Sequence, residues 1–159
     1  MNGLESLAAL YRFNEKVLER ALEGFTEADW LRRAEGPTSH AYWVLGHVSA
    51  YRRRLLRGLG EEVAAAEWED EFLRGSKPCD SLGIDPAALG EDFRASGALI
   101  EKRLCTLTPE EAALSFGRKL PDGSTTREGA ARFLLWHETY HMGQLGMLRR
   151  VSGKPGYAG

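Results

Sequence analysis

Apolar side chains recur at helical spacing along four long stretches of this chain, and segments rich in glycine, proline and charge separate them. Leu4, Leu7, Ala8, Tyr11, Leu18, Ala21, Leu22 and Phe25 predict a first helix that ends near Gly24. A short turn from Thr26 through Arg33 follows, and Gly36-Pro37 closes it before Ser39 offers an N-cap for a second long helix over about 40–57. That helix faces inward with Trp43, Val44, His47, Ala50, Tyr51 and Leu55. The third, capped by Asp85 and reaching about Leu107, carries Leu89, Phe93, Ile100 and Leu104, with Ser96-Gly97 thinning its apolar face at the middle. Thr108-Pro109 starts another short turn, and 116–123 reads as a small extended excursion or hairpin. The last helix starts at Thr125 or Thr126, with Thr125-x-x-Glu128 as a capping box, and runs to about Val151. Its inward stripe is Ala130, Phe133, Leu134, His137, Tyr140, His141, Gln144, Leu145 and Leu148.

The fold class this pattern predicts is all-α, a four-helix bundle. The segment from Gly58 to Pro86 is too long for a tight turn, so it reads as a crossover that lets helix three run parallel to helix two. At 159 residues the chain fits one domain, taken as 1–152, with 153–159 as a loose tail.

Three polar positions interrupt the apolar stripes where a core would exclude them: Asn14, His47 and the pair His137/His141. A single histidine on such a face is more often a hydrogen-bonded core residue than a ligand. The pair is different, because residues four apart on a helix share a face and stand about 6 Å apart along the axis. Two neutral rings buried there would each need a partner, or would share one ion. With His47 the set becomes three imidazoles, the donor arrangement that leaves a coordination position open. His40 lies seven residues before His47, about 10 Å along the axis, and is left out as a surface or site-entrance residue. Gln144 and Tyr140 flank the ligand pair and could orient a ring or a substrate, with packing the favoured account of Tyr140; Asn14 could hydrogen-bond into the cavity, and a helix contact accounts for it equally well.

His137-Glu138-Thr139-Tyr140-His141 also satisfies the zinc-protease motif H-E-x-x-H. That chemistry needs a third ligand downstream, and residues 142–159 contain no His, Asp or Glu. Glu138 sits about 100° round the helix from His137 and reads as a solvated surface residue.

Charge and cysteine content narrow the partners. A net charge of −2 supplies no general attraction to nucleic acid or anionic membrane, and the cluster Arg52, Arg53, Arg54 and Arg57 lacks interleaved aromatics and precedes an acidic run that could neutralise it. Neither nucleic acid nor a membrane is expected as a partner. No run of apolar residues is long enough to span a bilayer, and Met1 to Leu10 lacks a signal peptide's basic start, so the cytoplasm is the expected location. Cys79 and Cys105 are read as free thiols.

Trp43-Val44-Leu45-Gly46-His47, the run from His137 to Leu145 and the closing Leu148-Arg149-Arg150 resemble the DinB/YfiT-like superfamily of metal-dependent enzymes, and the order of elements matches over nearly the whole chain. The resemblance implies an up-down-down-up bundle, a divalent metal on His47, His137 and His141, and a homodimer. It also implies transfer or hydrolysis of a small-molecule substrate, with a low-molecular-weight thiol or water as nucleophile. Zinc or nickel is the leading expectation, with iron and manganese as alternatives; all four accept imidazole, and donor type alone does not select among them. No general acid or base is assigned. A non-catalytic metal- or ligand-binding bundle of a stress response is the alternative reading.

Overall fold

The computed structural model describes residues 3–36 and 38–157. Pro37, expected to close the first connector, lies outside them, as do Met1, Asn2 and the last two residues of the tail. The described chain is all-helical apart from one isolated bridge, Ser115 to Thr126. Long helices α1 (Glu5–Leu22), α3 (Ala41–Gly58), α4 (Pro86–Thr106) and α6 (Arg127–Val151) form the body, with single turns α2 (Glu27–Trp30) and α5 (Pro109–Ala113) between them. A 3-10 turn, Glu69–Phe72, breaks the long crossover.

α1 and α3 each pack against both α4 and α6. Along α3 and α4 the contacts advance together: the Tyr42 hydroxyl accepts from Ile84 N, Arg52 reaches Phe93, and Arg103 donates to Leu59 O. Along α1 and α6 they do so as well, from Tyr11 on Ala131 O, through Asn14 on Glu138, to Arg149 on Ala21 O.

The apolar core is split in two. One half gathers Leu4, Leu7, Tyr11, Leu55, Leu59, Ile100, Leu104 and Leu134; the other gathers Leu18, Val44, Leu45, Phe72, Leu89, Phe93, Met142 and Leu145. Between them lies a polar layer made of Asn14, Arg52, Ser96 and Glu138, all buried. Arg52 and Glu138 correct the sequence reading, which put the first in a basic cluster facing the acidic run and the second in solvent. Arg52 is 2% exposed and Glu138 3%. The guanidinium donates to both carboxylate oxygens at 2.7 and 2.9 Å, to Phe93 O and to Tyr11 O, and its carbon stands 3.4 Å from the centre of the Phe93 ring. Asn14 donates to the same carboxylate at 3.1 Å. Buried charges survive only when paired and fully hydrogen-bonded, and this layer meets that condition. Gly97 makes room for it: a Cβ there would come within 2.3 Å of Arg52 Nη1.

The remaining arginines of that cluster are engaged as the acidic run suggested, Arg53 and Arg57 both on Glu69. One cap and one capping box also differ from expectation. α3 is capped by His40 rather than Ser39: its Nδ1 accepts from Trp43 N at 3.0 Å while Nε2 donates to Cys79 O at 2.7 Å. His40 is therefore a buried clamp between helix and crossover and not a surface residue. α6 is capped by Thr126, whose Oγ1 accepts from Gly129 N, and Glu128 pairs with Arg132 instead of closing a box on Thr125. Beyond α6, Arg149 donates to Pro155 O, Lys154 pairs with Asp29 and Tyr157 donates to Met142 O.

Candidate metal centre

His47 on α3 and His137 and His141 on α6 meet at one point beside the polar layer, with ligand atoms all within 4.8 Å of one another. His137 Nε2 stands 3.2 Å from His47 Nε2 and 3.2 Å from His141 Nε2. A tetrahedral ion with metal–nitrogen bonds of about 2.0–2.1 Å holds its nitrogens about 3.3 Å apart, so the spacing fits one.

The protons agree with the distances. His47 Nδ1 donates to Phe72 O at 2.5 Å, and His141 Nδ1 donates to Gln144 Oε1 at 2.7 Å. A neutral imidazole has one N–H, so both rings present a bare Nε2 lone pair to the meeting point. His137 can satisfy at most one of them. Its own Nδ1 is buried and has no partner among the described residues. Three rings arranged this way lack a proton for every lone pair, and a cation is what they fit.

Burial keeps the rings neutral. It lowers His47 to about 4, partly offset by the Phe72 carbonyl, with the neighbouring His141 lowering it further. It lowers His137 to about 3, reinforced by both other histidines. His141 is lowered too, with Gln144 opposing.

The crossover positions His47. Phe72 closes the 3-10 turn, its ring lies against α3 where Gly46 leaves space, and its carbonyl fixes the imidazole. Trp43 stacks on the other face of His47 at 4.4 Å between ring centres. On α6, Gln144 bridges His141 to the Tyr140 hydroxyl, to which its Nε2 donates at 3.1 Å. Tyr140, 56% exposed, stands at the mouth of the site and not in the core. Asn14 is not brought to the histidines; it bonds Glu138 and Thr139 in the polar layer.

The centre opens into a pocket of about 1100 Å³. Tyr51 lines it with its ring 4.8 Å from that of His137, and its hydroxyl has no hydrogen-bond partner among the described residues. The sequence reading counted Tyr51 only as apolar stripe. Arg52 and Glu138 were missed as well, yet both sat in the sequence as polar breaks in stripes, Arg52 in register with Leu45, Val48, Leu55 and Leu59, and Glu138 with Leu134, Leu135, Met142 and Leu145.

A family model described as the DinB superfamily matches residues 10–145. A search among curated proteins finds none that matches.

Proposed function

This chain belongs to the DinB superfamily, and from that premise we propose that it is a metalloenzyme holding one divalent ion on His47, His137 and His141 and acting on a small electrophile. The observation that carries the reading is the pair of bare Nε2 lone pairs, on His47 and His141, directed at His137 Nε2 on the floor of an open pocket. A divalent ion in such a site supplies Lewis acidity, which makes a thiol or water acidic enough to act as nucleophile near neutral pH. The chain's own residues do the rest. Phe72 O and Gln144 Oε1 hold two ring tautomers, so the lone pairs stay in place without reorganisation. Trp43 and Tyr51 cover the rings from the side, and Tyr51 lines the pocket with a hydroxyl that can orient a bound molecule. Thiol transfer or hydrolysis is the reaction class, zinc or nickel the leading metal.

The contacts that advance together along α3 and α4, and along α1 and α6, support an up-down-down-up bundle in a single domain. The proposal includes a homodimer, the assembly that the resemblance to this superfamily implies. No helix of the described residues is long and apolar enough to cross a membrane.

Elemental analysis tests the centre. Wild type reconstituted with zinc or nickel should retain about one equivalent per chain, and His47→Ala, His137→Ala and His141→Ala should each retain far less. Equal and negligible content in all four proteins would overturn the assignment. Turnover of generic electrophiles with a panel of low-molecular-weight thiols then separates enzyme from binding protein.

A further inference from the structure

The pocket above the histidines has a charge bias that the whole chain lacks. Twenty-one basic and 23 acidic side chains nearly balance overall. The pocket wall, however, carries Arg74, Arg118, Lys119 and Arg132 against a single acid, Asp122. That carboxylate already accepts from Ser124 N and Oγ, and Arg132 is paired with Glu128 outside the wall. Arg74, Arg118 and Lys119 pair with no carboxylate among the described residues, whereas most other arginines of the chain do. The other large cavity, of about 880 Å³ beside α1 and α4, shows that a positive lining is not general. It has Glu19, Glu23, Glu27 and Asp85 against Arg20 and Arg94.

The two segments that bear these cations are built onto the site. Trp43, which stacks on His47, donates through Nε1 to Ser76 Oγ at 3.0 Å, and Ser76 Oγ donates to Leu73 O, so the backbone on either side of Arg74 is tied to the histidine centre. Arg118 and Lys119 ride on the excursion between α5 and α6, closed by Phe116 N on Thr125 O and Leu120 N on Ser124 O, and Leu120 is buried beneath it. The same wall is aromatic as well, with Trp43, Tyr51, Phe133 and Trp136 lining it.

From this lining we propose that the pocket takes a small organic anion, with its carboxylate, sulfonate or phosphonate oxygens at Arg74, Arg118 and Lys119 and its apolar body on the aromatic wall toward the histidines. The proposal names the substrate class for the metal centre and rests on that reading for the pocket's role as reaction chamber. Binding itself needs only the cations and the aromatic wall. Guanidinium groups suit oxyanions because their planar fork of donors matches two oxygens at once. An aromatic body gains from burying its faces against the indole and phenol rings.

The test compares two fluorescent probes of similar shape, 8-anilinonaphthalene-1-sulfonate and uncharged N-phenyl-1-naphthylamine, on wild type and on Arg74→Gln/Arg118→Gln/Lys119→Gln. All three substituted side chains are exposed, and circular dichroism checks the fold. The sulfonate should bind wild type with a salt-dependent affinity and lose about tenfold or more in the triple variant, while the neutral probe changes by less than about twofold. Equal losses for both probes, unchanged sulfonate affinity, or no sulfonate binding by wild type would each overturn the proposal. Metal content measured on the same samples separates the two readings. Full metal without charge-selective binding sinks only the anion site; charge-selective binding in protein that takes up no metal sinks only the metal centre.

Discussion

Each of the three imidazoles is held by burial in the form that has a lone pair to give. A histidine whose folded pKa lies below its unfolded value of 6.5 binds fewer protons folded than unfolded between those two values, so it adds stability above pH 6.5 that is lost as pH falls through the folded pKa. For His47 the window runs from 6.5 to about 4 and for His137 from 6.5 to about 3. Metal-free protein should therefore show a urea midpoint that falls as pH drops from 7 toward 5, before most carboxylates titrate, and His47→Phe/His137→Phe should flatten that slope. The Arg52–Glu138 pair makes a prediction of the opposite kind. Glu138→Gln leaves the buried guanidinium only the part-exposed Glu15 carboxylate, 3.4 Å away, as counter-charge and should cost about 3–5 kcal/mol in urea unfolding. Arg52→Met/Glu138→Leu removes both charges and should recover most of that loss. If the single substitution is as stable as wild type, the pair is not the closed unit its geometry describes.

The site is carried by α3 and α6, and a short neighbour of α3 fixes its part. α3 delivers His47 with the help of the 3-10 turn, whose Phe72 ring fits where Gly46 lacks a Cβ; an added methyl would meet that ring at 2.3 Å. Gly46→Ala should thus cost about 1–3 kcal/mol and weaken metal retention together, since pushing Phe72 away also removes the carbonyl that orients His47. Gly97→Ala on α4 should destabilise by a similar amount through Arg52, with metal retention less affected. Parallel measurements of unfolding and metal content on the two variants separate the helix that serves the site from the one that serves the polar layer.

At the scale of the whole molecule, a polar layer crosses the core and the histidine centre opens from one side of it. Two apolar halves hold the four helices together, and the layer sets their register, because Arg52 can satisfy Glu138, Phe93 O and Tyr11 O only at one relative height of α1, α3, α4 and α6. The segment after α6 closes one end by three contacts, on Arg149, Asp29 and Met142. Tyr157→Ala removes the hydroxyl bond and the ring that lies against Gly146, and should lower stability by about 1–2 kcal/mol in thermal or urea unfolding. An unchanged midpoint would mean that this end contributes nothing to holding the fold.

Periodicity alone determined the long helices and the histidine pair on one face, because helix geometry is local and repeats every 3.6 residues. The breaks at Asn14, His47 and Ser96-Gly97 were equally visible, as polar or small residues where a core stripe should be apolar. What filled those breaks was not. Glu138 and Arg52 each break an apolar register of their own helix, but only the packing of α3 against α6 shows that each is the other's partner across 86 positions. His40 as a cap, Phe72 as the tether of His47 and the cationic wall of the pocket depend in the same way on segments distant in sequence. A helix announces itself within a dozen residues, whereas a hydrogen bond between elements exists only once the chain has closed on itself.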